Sequence, residues 1–314
     1  MKISEFAFAK NYEIFLRKPQ IQQILVGESS FIKELRKIAV RLSGNNVPVL
    51  LCGETGTGKT LLAETVYYLT GKNWNNFFTL NSNCLEEKDF ISLLEEADKL
   101  SESLEITLFV KNIENTGINL QNKLLELLKS RNNNIRFIFS TEKNSESLSS
   151  VSENLLFLIS SMTVNFLPLR QRPEDILYIT SYFFKTLKLK TGIKMEGFAE
   201  DCVKEIKTRY WKGNCAELKN ALERAFLTGK VPCIYKSDLG FSENSVAEEA
   251  VNRAKTQNNG NLPLKDALDT FKKMYLTKIL EENNWNQTKT AKILGIQRTY
   301  VIKLINDLNI NKNR

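Results

Sequence analysis

Histidine does not occur anywhere in the 314-residue sequence. Its absence excludes Ser-His and Cys-His catalysis and removes the commonest zinc ligand. Five cysteines are present, at positions 52, 84, 202, 215 and 233, and no two form a CxxC pair. An odd, scattered set of this kind reads as reduced, mostly buried thiols of a cytosolic protein, not as a disulfide framework. Cys52, at the end of an apolar run, is expected to be buried and unreactive. No apolar run reaches the roughly 18 to 20 residues that a membrane helix needs. The opening stretch MKISEFAFAKNYEIF carries Glu5 and Glu13 and lacks a continuous apolar core, which argues against a secretory signal. The expectation is a cytoplasmic protein with no membrane contact.

What is present is an ordinary globular composition, 42 % hydrophobic and 25 % charged. The length leaves room for two or three domains. The net charge of +8 is unevenly placed: residues 261–314 hold ten Lys/Arg against five Asp/Glu, a net of +5. A basic C-terminal sixth points to a polyanionic partner.

Strand-like and helix-like segments alternate through the first half. The runs VPVLLCG, NFFTLN, ITLFV and IRFIFST are separated by the helix-like TLLAETVYYL, ISLLEEADKL and LQNKLLELLKS. That order predicts an α/β fold with a parallel sheet covered by helices on both faces. Three of the runs are almost wholly apolar, as strands buried on both sides require. Residues 141–154 read as a loop. Beyond Arg172 strand signals fade. PEDILYITSYFFKTLK opens with proline and two acids, the chemistry of a first helical turn, and AELKNALERAFL is amphipathic. The predicted organisation is a short segment 1–20, an α/β domain 21–165, a helical domain 166–241, a linker 242–261 and a C-terminal unit 262–314.

Between the first strand and the first long helix lies GETGTGKT: Gly53, Glu54, Thr55, Gly56, Thr57, Gly58, Lys59 and Thr60. This is a complete G-x4-G-K-T phosphate loop in the strand-to-helix context that gives the motif its meaning. Glycines let backbone N–H groups turn toward phosphate oxygens, and the helix N-terminus adds its dipole. Lys59 is expected to reach the β- and γ-phosphates of ATP, and Thr60 to ligate Mg2+.

Around this loop the chain resembles the sigma-54-dependent transcriptional activators, the bacterial enhancer-binding proteins. The resemblance is carried by LVGESSFIKELRKIAV, the loop with its flanks, NFFTLNSNC, LQNKLLELLKS, FLPLRQRPEDI and YWKGNCAELKNALERA, in family order from Ile24 to Thr228. It implies an AAA+ P-loop sheet followed by a helical lid. Family members usually carry Glu after the loop lysine, where this chain has Thr60.

The same alignment shows what is missing. The family's Asp-Glu pair at the end of the second core strand becomes Lys111 and Asn112, and lysine cannot hold magnesium. Glu114 lies three residues past Lys111, beyond the expected strand. The arginine-finger positions fall near Ser152 and Leu158, and no Lys or Arg occurs from Asn144 to Leu169. The lid arginine corresponds to Ala216 and the sensor asparagine to Glu142. No glycine occurs between Gly71 and Gly117, so the GAFTGA loop with which the family grips sigma-54 is absent.

At the C-terminus, LKDALDTFKKMYLTKILEENN places Leu264, Leu268, Phe271, Tyr275 and Ile279 on one helical face, serving either dimer pairing or the unit's own core. A second helix follows with Asn286 as its cap, then a turn at Gly295-Ile296. In the third helix Val301, Leu304, Ile305 and Leu308 form a buried face. Gln297, Arg298, Thr299 and Lys303 then point outward, where a recognition helix meets base edges. This run resembles the Fis-type helix-turn-helix that closes most members of the family, which implies double-stranded DNA as partner and a dimer joined through this domain. Lys123 and Lys129 are read as exposed, adding weak attraction for DNA.

The expected function is a DNA-binding transcription regulator that binds ATP but is deficient in hydrolysis and does not remodel sigma-54. RNA polymerase or a related AAA+ regulator are the expected protein partners. The alternatives are a divergent activator ATPase, alone or in mixed rings, and an interaction protein with a relic loop.

Overall fold

The computed structural model of the chain describes residues 2, 3, 15 and 18–310, apart from 131–133, 145–146, 230–231, 241–263, 284 and 309. The linker expected over 242–261 and most of the 1–20 segment lie outside the described residues. The chain divides into two compact units, Met1–Leu239 and Gly240–Arg314.

Five parallel strands form the sheet of the first unit: β1 Val49–Cys52, β2 Phe77–Asn81, β3 Ile106–Lys111, β4 Ile135–Thr141 and β5 Met162–Asn165, in the order β2-β3-β4-β1-β5. Alternate side chains of each strand enter opposite layers, the period-2 consequence of the pleat. Leu50, Leu108, Val110, Phe137 and Phe139 pack with helices α3 (Glu87–Ser101), α4 (Ile118–Lys129) and α5 (Glu153–Ile159), through Leu93, Leu124 and Leu155. Val49, Leu51, Phe109 and Ile138 pack with α1 (Ser30–Ser43) and α2 (Lys59–Leu69), through Leu35, Ala39, Leu62 and Val66. The four apolar runs read from the sequence are β1 to β4. The fifth strand was not read: it has four residues at the sheet edge, only Val164 is fully buried, and so it carries no apolar run.

The lid comprises α6 (Pro173–Thr191), α7 (Glu200–Thr208) and α8 (Asn214–Thr228). It is not purely helical as expected, because Gly197–Phe198 (β6) and Cys233–Ile234 (β7) pair in parallel. Two residues per strand are too few to give a periodic signal. Trp211 is fully buried and its indole N–H donates to the Ile206 carbonyl at 2.9 Å, so its role is packing.

In the second unit α9 (Leu264–Glu282), α10 (Gln287–Leu294) and α11 (Arg298–Asp307) enclose Leu276, Leu280, Ala291, Val301 and Ile310. Leu304, Ile305 and Leu308 pack against that cluster, as the spacing predicts. The Asn286 side chain accepts the Lys289 N–H at 3.1 Å, and Gly295 turns the chain at φ 65. The stripe chosen on α9 is not the core stripe. Leu268 and Tyr275 are 46 % and 41 % exposed, with Phe271 stacked on Tyr275 at 5.7 Å, while Leu276 and Leu280 face inward. Only the C-terminal half of α9 meets this cluster, so the N-terminal half keeps apolar side chains at the surface.

Candidate nucleotide site and DNA-binding face

The phosphate-loop residues form one turn between β1 and α2. Gly53 has φ 144, and a Cβ there would lie 2.8 Å from that of Phe166. Gly58, at φ 113, is the residue before α2, which starts at Lys59. The buried Thr57 hydroxyl donates to the Glu54 carbonyl at 2.8 Å and braces the turn from within. The Lys59 amine donates to the carbonyl of Gly53 and, at 2.9 Å, to that of Glu54. Thr60 lies in the first turn of α2, half-buried. The geometry thus gathers Gly53, Glu54, Thr55, Gly56, Thr57, Gly58, Lys59 and Thr60 around one helix N-terminus.

The lid clasps this loop through contacts that sequence reasoning missed. Glu54 accepts two bonds from the Arg170 guanidinium, one at 2.7 Å, and a third from Asn214 Nδ2 at 3.1 Å. The Arg170 bonds hold the Glu54 carboxyl below the usual range, against the opposing effect of burial. Asn214, fully buried at φ 53, also donates to the Thr55 carbonyl at 2.9 Å and accepts the Leu169 N–H at 2.7 Å. The Cys215 N–H donates to the Gly56 carbonyl at 3.1 Å, and Arg172 donates to the Thr57 carbonyl at 3.0 Å. Buried Asp175 accepts the N–H groups of Glu28 and Ser29, both at 2.8 Å, and the Ser29 hydroxyl at 2.6 Å. Apart from the Leu169–Asn214 bond within the lid, these partners lie 115 to 160 residues apart in the chain, so no local pattern announces them.

Gly56 sits under this clasp at φ 79, and a Cβ there would come within 2.3 Å of the Gly213 carbonyl. Gly56→Ala combines backbone strain with a clash and is expected to destabilise the first unit by about 2–4 kcal/mol. Thermal denaturation should show a drop on the order of 5–15 °C. Gly197→Ala, where a Cβ meets nothing within 4 Å, should leave the melting temperature unchanged.

Charged groups of both signs meet at the C-terminal ends of β3 and β4. Lys111 ends β3, in register with Asn81 and Ser140. Asn112 follows at φ 59, a left-handed conformation that asparagine tolerates better than most residues. Glu114, in the turn Ile113–Asn115, is 8 % exposed; its Oε1 accepts the Glu142 N–H at 2.9 Å. The Glu142 carboxylate in turn accepts the Thr55 hydroxyl at 2.6 Å. Burial lowers the Lys59 pKa, Glu142 and then Glu114 oppose that, and Lys111 adds to it. On the lid side Ala216 lies against the loop, its Cβ 3.0 Å from where a Gly56 Cβ would be. The expected finger positions, Ser152 and Leu158, lie beside and within α5. Among the described residues no group of three or more His, Cys, Asp or Glu forms a metal cluster.

In the second unit Gln297 precedes α11, and Arg298, Thr299 and Lys303 lie on it; all four are exposed, while Val301 between them is fully buried. Tyr300 and Ile302 share that exposed surface and were not singled out, since aromatic and branched residues near a helix start read first as core. Lys123 is not exposed as expected: its amine pairs with Glu126 at 3.1 Å and its side chain is mostly covered, whereas Lys129 is exposed. Among the described residues no helix is long and apolar enough to cross a membrane.

Comparison with known proteins matches three consecutive domains. A sigma-54 interaction domain covers residues 26–169, an AAA+ ATPase lid domain 170–257 and a Fis-family bacterial regulatory protein domain 267–301. The chain is 24 % identical over 318 residues to the nitrogen assimilation regulatory protein NtrX of Azorhizobium caulinodans, covering 91 % of this chain and 69 % of that protein. It is 25 % identical over 320 residues to the regulatory protein AtoC of Escherichia coli, covering 91 % and 68 %. It therefore spans about two thirds of the length of these relatives. Its fold is that of Brucella abortus NtrX, solved in complex with ADP (TM-score 0.64, 22 % identity, 95 % of this chain and 73 % of that one). The same protein solved in complex with ATP gives a TM-score of 0.62 at 23 % identity, over 91 % and 69 % of the two chains. With interaction domain, lid and Fis-type unit matched in succession, the chain belongs to the sigma-54-dependent activator family.

Proposed function

We propose that the chain is a DNA-binding transcription regulator whose AAA+ domain holds nucleotide without hydrolysing it. The observation that carries this reading is a complete, braced phosphate loop beside a strand end that presents Lys111. Hydrolysis needs a carboxylate there to organise magnesium and a second to orient water. A lysine and an asparagine supply neither, and the first of them brings a like charge to the metal. Ala216 and the cation-free stretch from Asn144 to Leu169 leave the γ-phosphate without the arginines that stabilise transferring charge.

Binding itself is within reach of the residues present. The loop N–H groups, the dipole of α2 and Lys59 suit a nucleotide's phosphates, Lys59 exchanging its two carbonyl acceptors for phosphate oxygens. Thr60 would supply one ligand to Mg2+, and Lys111 withholds the usual second. The ATP- and ADP-bound structures of the similar Brucella protein support this assignment. The clasp of Arg170, Arg172 and Asn214 makes the loop and the lid one mechanical unit, suited to a platform for docking RNA polymerase or a related AAA+ regulator. Without a GAFTGA loop the chain does not remodel sigma-54.

DNA binding is assigned to α11, with Gln297, Arg298, Thr299 and Lys303 toward the major groove. The exposed Leu268 and Tyr275 of α9, with the half-buried Phe271 stacked on Tyr275, suit pairing with a second copy, giving a dimer that reads two half-sites. Fluorescence anisotropy across a salt titration tests the assignment. A log–log slope of about −4 or steeper is expected if four or more phosphates are neutralised. A flat salt response would identify the unit as a protein-binding module instead. One observation favours the divergent-ATPase reading: buried Glu114 lies close enough to act electrostatically on Lys59.

A further inference from the structure

The carboxylates at the mouth of the loop bear on which nucleotide it takes. Glu142 stands one residue past β4 and reaches the loop itself, accepting the Thr55 hydroxyl at 2.6 Å. Its backbone N–H is held by Glu114 Oε1 at 2.9 Å, so the two acids form one connected pair. Glu114 is turned inward: it is 8 % exposed, and its Oε2 is buried with no hydrogen-bond partner. Both acids act on Lys59 from the sheet side. Toward the lid, the neighbours of Gly56 are the Gly213 carbonyl and the methyl group of Ala216.

A phosphate loop holds the inner phosphates with backbone N–H groups, and its lysine reaches between the second and third. A diphosphate therefore ends inside the loop. A third phosphate adds charge where Glu142 and Glu114 already stand; Lys59 and Lys111 are the cations on the sheet side, while Arg170 is engaged by Glu54 and Arg172 by the Thr57 carbonyl. Like charges a few ångströms apart at a partly covered site repel strongly enough to decide affinity. We propose that Glu142 and Glu114 make this loop selective for nucleoside diphosphates over triphosphates. The inference rests on the loop's binding nucleotide at all, and it adds the ligand class.

Isothermal titration of the full chain with ADP and with ATP, at one magnesium concentration, tests it. ADP is expected to bind at least about tenfold more tightly than ATP. Glu142→Gln keeps an acceptor for Thr55 and removes only the charge from an exposed residue, so it should narrow the gap mainly by improving ATP binding. Glu114→Gln keeps an acceptor for the Glu142 N–H and should act in the same direction. Equal affinities, tighter ATP binding, or a gap that neither variant narrows would overturn the selection. Equal affinities that Lys59→Ala abolishes would overturn the selection alone. Absence of binding by either nucleotide would overturn the phosphate-loop reading along with it.

Discussion

Lys59→Ala is expected to lower nucleotide affinity by on the order of 10²- to 10³-fold, because truncating one partner of a buried, hydrogen-bonded charge pair costs about 2–5 kcal/mol. The amine is already gathered into the loop by the Gly53 and Glu54 carbonyls, so little reorganisation separates it from a phosphate. The pH dependence has a defined sign. Burial lowers the Lys59 pKa, which means that its charged form is the one disfavoured without a ligand. Phosphate favours the charged form, so binding should be strongest below the Lys59 pKa and weaken as pH rises through it. Titration of wild type and variant by calorimetry checks both statements. An alanine variant that binds as tightly as wild type would mean that phosphates are not held at this turn.

Arg298→Ala carries the second large effect. Arg298 opens α11 and is exposed, with the fully buried Val301 fixing the face it presents. A bidentate guanidinium contact with a guanine edge is worth about 1–3 kcal/mol of discrimination. On a site selected from random duplexes, the variant should therefore bind roughly 10- to 100-fold more weakly and lose preference at one base position. An electrostatic contact to phosphate alone would instead weaken all sequences alike and lower the salt slope by about one unit. Specificity unchanged at every position would remove Arg298 from base readout.

How much was legible in the sequence follows from the range of each interaction. β1, β3 and β4 were readable because both faces of each strand are covered, so the burial shows as a nearly continuous apolar run, and β2 because Phe77, Phe78 and Leu80 are buried. The loop was readable because its chemistry is local: eight consecutive residues supply it. The turn at Gly295 and the Asn286 cap were readable for the same reason. β5 was not, since an edge strand with one fully buried residue has no pattern of its own. The clasp was not, since Glu54 meets Arg170 and Asn214 only after the lid folds back across 116 and 160 residues. The α9 stripe illustrates the limit of periodicity. Spacing finds a face, but whether Leu268 and Tyr275 or Leu276 and Leu280 turn inward depends on where α10 and α11 end up. Glu114 was visible as an acid, yet nothing in NIEN shows that it is buried or that it carries the Glu142 N–H.

Steady-state ATP hydrolysis by the chain of residues 1–314, with Lys59→Ala as the reference, tests the central claim most directly. Loss of an arginine finger alone lowers turnover by about 10³- to 10⁵-fold, and here Lys111 and Asn112 replace the acids as well. The account predicts phosphate release by wild type no faster than by the variant, under conditions where calorimetry shows nucleotide bound. Turnover that Lys59→Ala abolishes would contradict it and would assign Glu114 the part of the missing acid.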